Sequence, residues 1–298
     1  MNISFQFSDK ITIDWVSKYL SDLVFPDLSG QKPRINTLFC GVLAVYNRKP
    51  IALILANATP ADRLFRIHSF YVQPDFREKG IGSHLLERLE KEVKRKGTRK
   101  TEVFFRENWK SAKVLNKILR KQGWAKPMPH SIMLRGEISA VWKIIKRHET
   151  CNNAASFVPF SHLKKIDIVY IQKRQKNGLW SDPALDPFVL PDSILADCSF
   201  LVKRGGEPGA WIVVHQLQKE LIEITALFVD SSFRQFGIAY ELIRRAFSQL
   251  EKSAYSRFVV TSRLDGNAVS RLLVRNLKNE GFKGTVSYYT SKELGSGF

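Results

Sequence analysis

A stretch of twelve residues occurs twice in this chain, and the remainder is arranged around the two copies. The first reads Tyr71-Val72-Gln73-Pro74-Asp75-Phe76-Arg77-Glu78-Lys79-Gly80-Ile81-Gly82. The second reads Phe228-Val229-Asp230-Ser231-Ser232-Phe233-Arg234-Gln235-Phe236-Gly237-Ile238-Ala239. Corresponding residues lie 157 apart (234 minus 77). Internal self-similarity marks repeated folding units, and 298 residues suit two domains of about 150 residues each. The expected division is 1–149 and 150–298, because Glu149 to Ala155 is polar and without periodicity.

The pattern around each copy is the same. Ile3 to Phe7 alternates as a strand does. Asp9 reads as the N-cap of a helix carrying Ile13, Val16, Leu20 and Leu23. Leu38 to Tyr46 and Ile51 to Ala58 form a hairpin about the turn Asn47-Arg48-Lys49-Pro50. Leu64 to Val72 is a third strand. A helix then runs from about Gly80 to Lys96, with Ile81, Leu85, Leu86, Leu89 and Val93 as its apolar stripe. Thr101 to Phe105 is a strand, and Asn108 opens a helix that stops at Gly123. A strand near Ser131 to Leu134 and a short helix over Ser139 to Arg147 close the first half. The second half repeats the order. It has a helix over His162 to Lys176, with Ile166, Val169 and Tyr170 inward. Strands follow at Ile194 to Val202, Ala210 to Leu217 and Leu221 to Val229. Then come a helix from Gly237 to about Leu250, a strand at Arg257 to Thr261, a helix over Asn267 to Glu280 and a strand near Val286 to Thr290.

Composition narrows the class. Hydrophobic content of 44% with 25% charged residues indicates a soluble globular chain. Cys40, Cys151 and Cys198 are odd in number and lack metal spacing, so neither a disulfide framework nor a zinc site is expected. A reducing, cytoplasmic setting follows, with no signal peptide and no apolar run of about 18 residues to span a membrane. The net charge of +19 is uneven. Residues 1–150 hold 28 Lys and Arg against 14 Asp and Glu (+14), and residues 151–298 hold 19 against 14 (+5). A basic surface favours anionic partners. Nucleic acid is the least favoured of them: Arg95, Lys96, Arg99 and Lys100 are the densest run, but no basic strand is interleaved with aromatics.

A strand end, an Arg and a Gly feeding a helix expose a row of backbone N–H groups, which together with the helix dipole bind phosphate. Glycines allow close approach to that backbone. The spacing lacks the G-x-G-x-x-G of a dinucleotide site and the Gly-Lys-Ser/Thr of a P-loop. It resembles motif A of the GCN5-related N-acetyltransferases, Q/R-x-x-G-x-G/A after a strand ending near V-x-P. Arg77, Gly80 and Gly82 match in the first half, and Arg234, Gly237 and Ala239 in the second. Val72, Pro74 and Val229 match upstream, while Ser231 replaces the Pro. Gly123-Trp124 and Gly281-Phe282 are similar to the family's later G-F/W.

The resemblance covers nearly the whole chain as two tandem modules. It implies an α/β (α+β) fold in which each module is a mixed, largely antiparallel central sheet flanked by helices. It implies an acyl-CoA cosubstrate, acetyl-CoA most simply, with no metal. The pyrophosphate would meet the amides of Glu78, Lys79, Gly80, Ile81, Gly82 and Ser83, and those of Gln235, Phe236, Gly237, Ile238, Ala239 and Tyr240. The pantetheine arm would pair with Phe70, Tyr71 and Val72, or with Leu227, Phe228 and Val229. Asn108 and Asn267 would be either N-caps or pantetheine ligands.

The implied reaction is direct attack of an amine, on a small molecule or peptide, upon the thioester. It needs a base, an oxyanion donor and an acid. The family's basic Glu falls at Glu223 in the second module and at Arg66 in the first, where His68 is a substitute base. The family's usual acid, a Tyr, falls at Leu119 and Leu277, so either the thiolate leaves without that acid or another group serves, with Tyr288 and Tyr289 as stand-ins. A coenzyme A-binding scaffold without turnover, and a transferase of a longer fatty acyl group to a peptide amine, are the alternatives.

Overall fold

The computed structural model describes residues 2–23, 38–59, 64–145, 155–178, 182, 185–234, 237–264 and 282–295. By contacts the chain divides into one unit of Met1–His130 with Val286–Phe298, and a second of Ser131–Thr285.

The first unit contains β1 (Ser4–Ile11), α1 (Ile13–Tyr19), β2 (Phe39–Tyr46), β3 (Lys49–Thr59), β4 (Leu64–Val72), α2 (Ile81–Arg95), β5 (Lys100–Arg106) and α3 (Ala112–Lys121). The second contains β6 (Met128–Glu137), α4 (Ile138–Ile145), β7 (Ser156–Pro159), α5 (Lys165–Lys176), β8 (Phe200–Arg204), β9 (Glu207–Gln218), β10 (Leu221–Val229), α6 (Ile238–Leu250) and β11 (Arg257–Arg263). The last strand, β12 (Lys283–Glu293), returns to the first unit. Strand order is β1-β2-β3-β4-β5-β12 in the first sheet and β7-β8-β9-β10-β11-β6 in the second. In each, the fourth and fifth strands run parallel and the other neighbours antiparallel.

The two sheets thus share one connectivity, but their sixth strands are exchanged. Tyr288 of β12 sits opposite Phe105, and Ile132 of β6 opposite Ser262. Phe105 and Ser262 are themselves 157 apart, so Tyr288 and Ile132 are structural counterparts. Each half of the sequence completes the other's sheet, and the contact units therefore differ from the halves 1–149 and 150–298. The exchanged strand is well anchored. Lys292 of β12 pairs with the buried Glu90 of α2, which also accepts from Trp124 Nε1 at 2.7 Å.

Alternation along β3 separates two cores in the first unit. Ala52, Ile54 and Ala56 face Leu85, Leu86 and Leu89 of α2 and Leu119 of α3. Leu53 and Leu55 face Val16 of α1, with Leu20 and Leu23. The second unit repeats this second face with Ile171 of α5 against Trp211, Val213 and Ala226. The β2–β3 hairpin closes on Asn47 (φ 48) and Arg48 (φ 61) alone, a left-handed pair that suits strand twist.

Several boundaries differ from expectation. Asp9 lies within β1, and the cap of α1 is Thr12, whose hydroxyl accepts from Trp15 N–H at 3.2 Å. Asn108 sits in a turn, and α3 begins only after Ser111. Ile166 and Val169 point outward, 71% and 61% exposed, while Ile171 is the buried apolar residue of α5. The strand expected from Ile194 begins at Phe200, with Ile194 making only an isolated bridge to His215. The helix expected over Asn267 to Glu280, with Leu277, lies outside the described residues, as do Cys151 and Gly281.

Candidate functional site

The parallel strand pair forks in both units. β4 pairs with β3 as far as Val72 but with β5 only over Leu64–Ile67. β10 pairs with β9 as far as Val229 but with β11 only over Leu221–Ile224. Beyond the fork, one backbone edge of Phe70 to Val72, and of Leu227 to Val229, has no strand partner among the described residues. Such an edge is ready to hydrogen-bond an extended amide-bearing chain. A β-bulge sits at each fork. Register slips between Ile67 and Ser69, leaving His68 extra, and between Ile224 and Ala226, leaving Thr225 extra. Bulges of this kind re-aim a strand beside functional sites, and these two are also 157 apart.

At the end of each forked strand the chain turns into a helix. Gly80 (φ 78) and Gly237 (φ 66) are the helix N-caps and adopt the left-handed conformation that other residues resist. The first helical amide with a backbone acceptor is His84, bonded to Gly80 O at 3.1 Å. The N–H groups of Glu78 to Ser83 have no backbone acceptor among the described residues. In the second unit Glu241 N–H bonds Gly237 O at 3.0 Å, and the N–H groups of Gly237 to Ala239 have no backbone acceptor among the described residues. Gln235 and Phe236 lie outside the described residues. Each Arg clasps its own strand end: Arg77 Nε donates to Val72 O at 3.0 Å, Arg234 Nε to Val229 O at 3.4 Å. Gly82 is closely packed. A Cβ there would lie 3.1 Å from Ile118 Cδ1 and 3.5 Å from Phe70 Cζ. Asn108 is exposed, and Asn267 is outside the described residues.

Glu223 and Arg66 occupy the same place on the two forked strands. Glu223 stands opposite His215, and Arg66 opposite Asn57. Glu223 is half-buried, and burial pushes its carboxyl above the usual range. Arg66 is committed elsewhere: its Nε donates to Glu102 at 2.6 Å and its guanidinium lies 5.0 Å from the Phe104 ring centre. His68 donates Nε2–H to Asn57 Oδ1 at 2.7 Å. Burial, with Arg66 adding to it, lowers its pKa to about 4, so the ring is neutral at pH 7. Tyr288 belongs to the first unit, stacked on Phe105 with ring centres 5.9 Å apart. Its counterpart in the unit of Glu223 is the apolar, buried Ile132. Tyr289 packs on Phe104, with ring centres 5.1 Å apart. Leu119, in place of the expected acid, is core.

The acetyltransferase (GNAT) family model matches residues 11–117 and 166–277, both copies of this arrangement. The chain belongs to the GNAT family. Solved structures agree on the fold. A tandem GNAT protein from the clavulanic acid biosynthesis pathway superposes with a TM-score of 0.67 at 10% identity, covering 100% of both chains. A GCN5-related N-acetyltransferase from Sphaerobacter thermophilus gives 0.60 at 14% identity, over 99% of this chain and 97% of that one. A glucosamine N-acetyltransferase region of a fungal multi-domain beta-N-acetylglucosaminidase gives 0.69 at 12% identity, over 98% and 38%. No curated protein sequence matches the chain.

Some features of this GNAT chain escaped the sequence reading. His215 is 6% exposed and bonded at both nitrogens, to Thr225 Oγ1 at 2.8 Å and Val189 O at 3.0 Å. Its position follows from the repeat only if β3 and β9 are aligned at 158, one more than the 157 of β4 and β10. The basic run is largely neutralised: Lys96 pairs with Asp9, Arg95 with Glu92 and Lys100 with Glu293. Cys40 and Cys198 are buried free thiols, whose burial pushes each pKa up to about 11. Among the described residues no helix is long and apolar enough to cross a membrane, and no group of three His, Cys, Asp or Glu is placed to hold a metal ion.

Proposed function

We propose that this GNAT protein is an acyl-CoA-dependent N-acyltransferase, most simply an N-acetyltransferase, acting on an amine of a small molecule or peptide, with its transfer site in the second unit. The observation that carries the reading is the forked sheet bearing Glu223. The fit to acyl-CoA rests on two features in series: an unpaired strand edge for the pantetheine amides, and helix N-terminal amides behind a left-handed Gly for the pyrophosphate. Acyl-CoA supplies the activated thioester.

In the transfer, the amine nitrogen bonds to the thioester carbonyl carbon and the carbon–sulfur bond breaks. The sulfur takes the electron pair, and Glu223 accepts the amine proton. A carboxylate made more basic by burial is better matched to that task near neutral pH. A cytoplasmic location accords with a thiol cosubstrate and with the free thiols of Cys40 and Cys198.

The first unit reads differently. Its base position holds Arg66, already paired with Glu102, which favours acyl-CoA held there without turnover. Calorimetry with coenzyme A, on wild type and on the variants Arg77→Ala with Gly80→Val and Arg234→Ala with Gly237→Val, tests this. Each pair is expected to remove binding at one unit. Wild-type protein that binds no coenzyme A would refute the function.

A further inference from the structure

The geometry points to His215 as a positioning residue that makes the segment 185–195 and the bulge of β10 move as one piece. This rests on reading the second unit as the transfer site.

The imidazole is buried in β9, directly opposite Glu223 and on the same sheet face. Nε2–H donates to Val189 O, so Nδ1 accepts a hydrogen bond from the Thr225 hydroxyl, which also lies 3.5 Å from Val213 O. Thr225 is the extra residue of the bulge. Val189 belongs to a segment that covers this face. Leu185 and Phe188 pack against the cluster of Trp211, Val213 and Ala226. Trp211 Nε1 donates to Leu185 O at 2.9 Å, and Leu195 N–H to Val214 O at 2.8 Å. The imidazole takes hold where the segment is strained. Leu190, next to Val189, sits at φ 56 and ψ 56, a left-handed conformation that a bulky residue keeps only when its surroundings fix it.

The first unit supplies the contrast. In register, Asn57 corresponds to His215 and His68 to Thr225. A polar bridge across the bulge is present in both, but in the first unit the imidazole comes from the bulge itself and ends edge-on against Phe39, 5.6 Å away. Among the described residues, the bridge continues into a segment lying beside the base only in the second unit. An acceptor pressing on 185–195 is thereby felt at the strand that carries Glu223.

Hydrogen exchange by mass spectrometry on the full chain tests the coupling. Thr225→Val, which replaces the hydroxyl by a methyl group, should speed exchange about three- to tenfold in both 187–195 and 224–228, as loss of one part-buried hydrogen bond predicts. His215→Ala should do the same or more. His215→Asn with Thr225→His, which transplants the first unit's bridge, should restore 224–228 and leave 187–195 fast. Acceleration of only one segment in Thr225→Val, or of neither, overturns the coupling, as does a uniform change across the unit. A separate arm adds acetyl-CoA to wild type. Failure to protect 224–229 there would overturn the transfer-site reading, while the coupling stands or falls on the first arm.

Discussion

At the scale of single residues, charge and backbone conformation make the sharpest claims. Glu223→Gln keeps the shape and removes the proton acceptor. It is expected to slow acyl transfer by about 10²–10⁴-fold with coenzyme A binding unchanged, read as thiol release against a primary-amine panel and by calorimetry. His68 gives a pH dependence. Its folded pKa of about 4 lies below the ordinary histidine value of 6.5, so between those values the unfolded chain binds more protons. The stability His68 contributes is therefore complete above about pH 6.5 and is lost as pH falls towards 4. Urea midpoints across that window should fall more steeply for wild type than for His68→Gln. The two glycines of the first motif are needed for different reasons. Gly80→Ala should cost about 1 kcal/mol through its positive φ, and Gly82→Ala about 1 kcal/mol through crowding against Ile118, both measurable by denaturation.

At the scale of elements, strands and long helices were legible because their apolar periods are strong. The apolar runs Leu64–Val72 and Leu221–Val229 coincide with β4 and β10 at both ends. What the sequence hid was set by tertiary context. α5 carries apolar residues on more than one side, so its period does not say which side is inside. Ile171→Ala should cost about 2–5 kcal/mol as a core truncation. Val169→Lys should change stability by no more than about 0.5 kcal/mol, and urea titration of the two variants settles the face. The site was legible to the same degree. The repeated Gly and Arg positions follow from local pattern, and Glu223 follows from the family resemblance. The bulges do not, since one extra residue in a strand leaves no mark in composition, and without them Asn57, His68, His215 and Thr225 do not line up.

At the scale of the whole molecule, the exchange of β6 and β12 was invisible because the two strands are equivalent in the repeat, and sequence alone does not say which sheet each joins. It carries a prediction. Deleting residues 286–298 should leave β5 as an unprotected edge, with Phe105 and Glu90 deprived of Tyr288 and Lys292. Exchange at β5 and β4 should then rise far more than exchange in Ser131–Thr285, where β6, β11 and β10 remain. The same exchange sets a calendar for synthesis. The strand that closes the first sheet is made only after all of the second unit, so the ribosome exposes a five-stranded intermediate for most of elongation. An unpaired strand edge is a site of misassociation, and the nascent first unit is where a chaperone has most to protect.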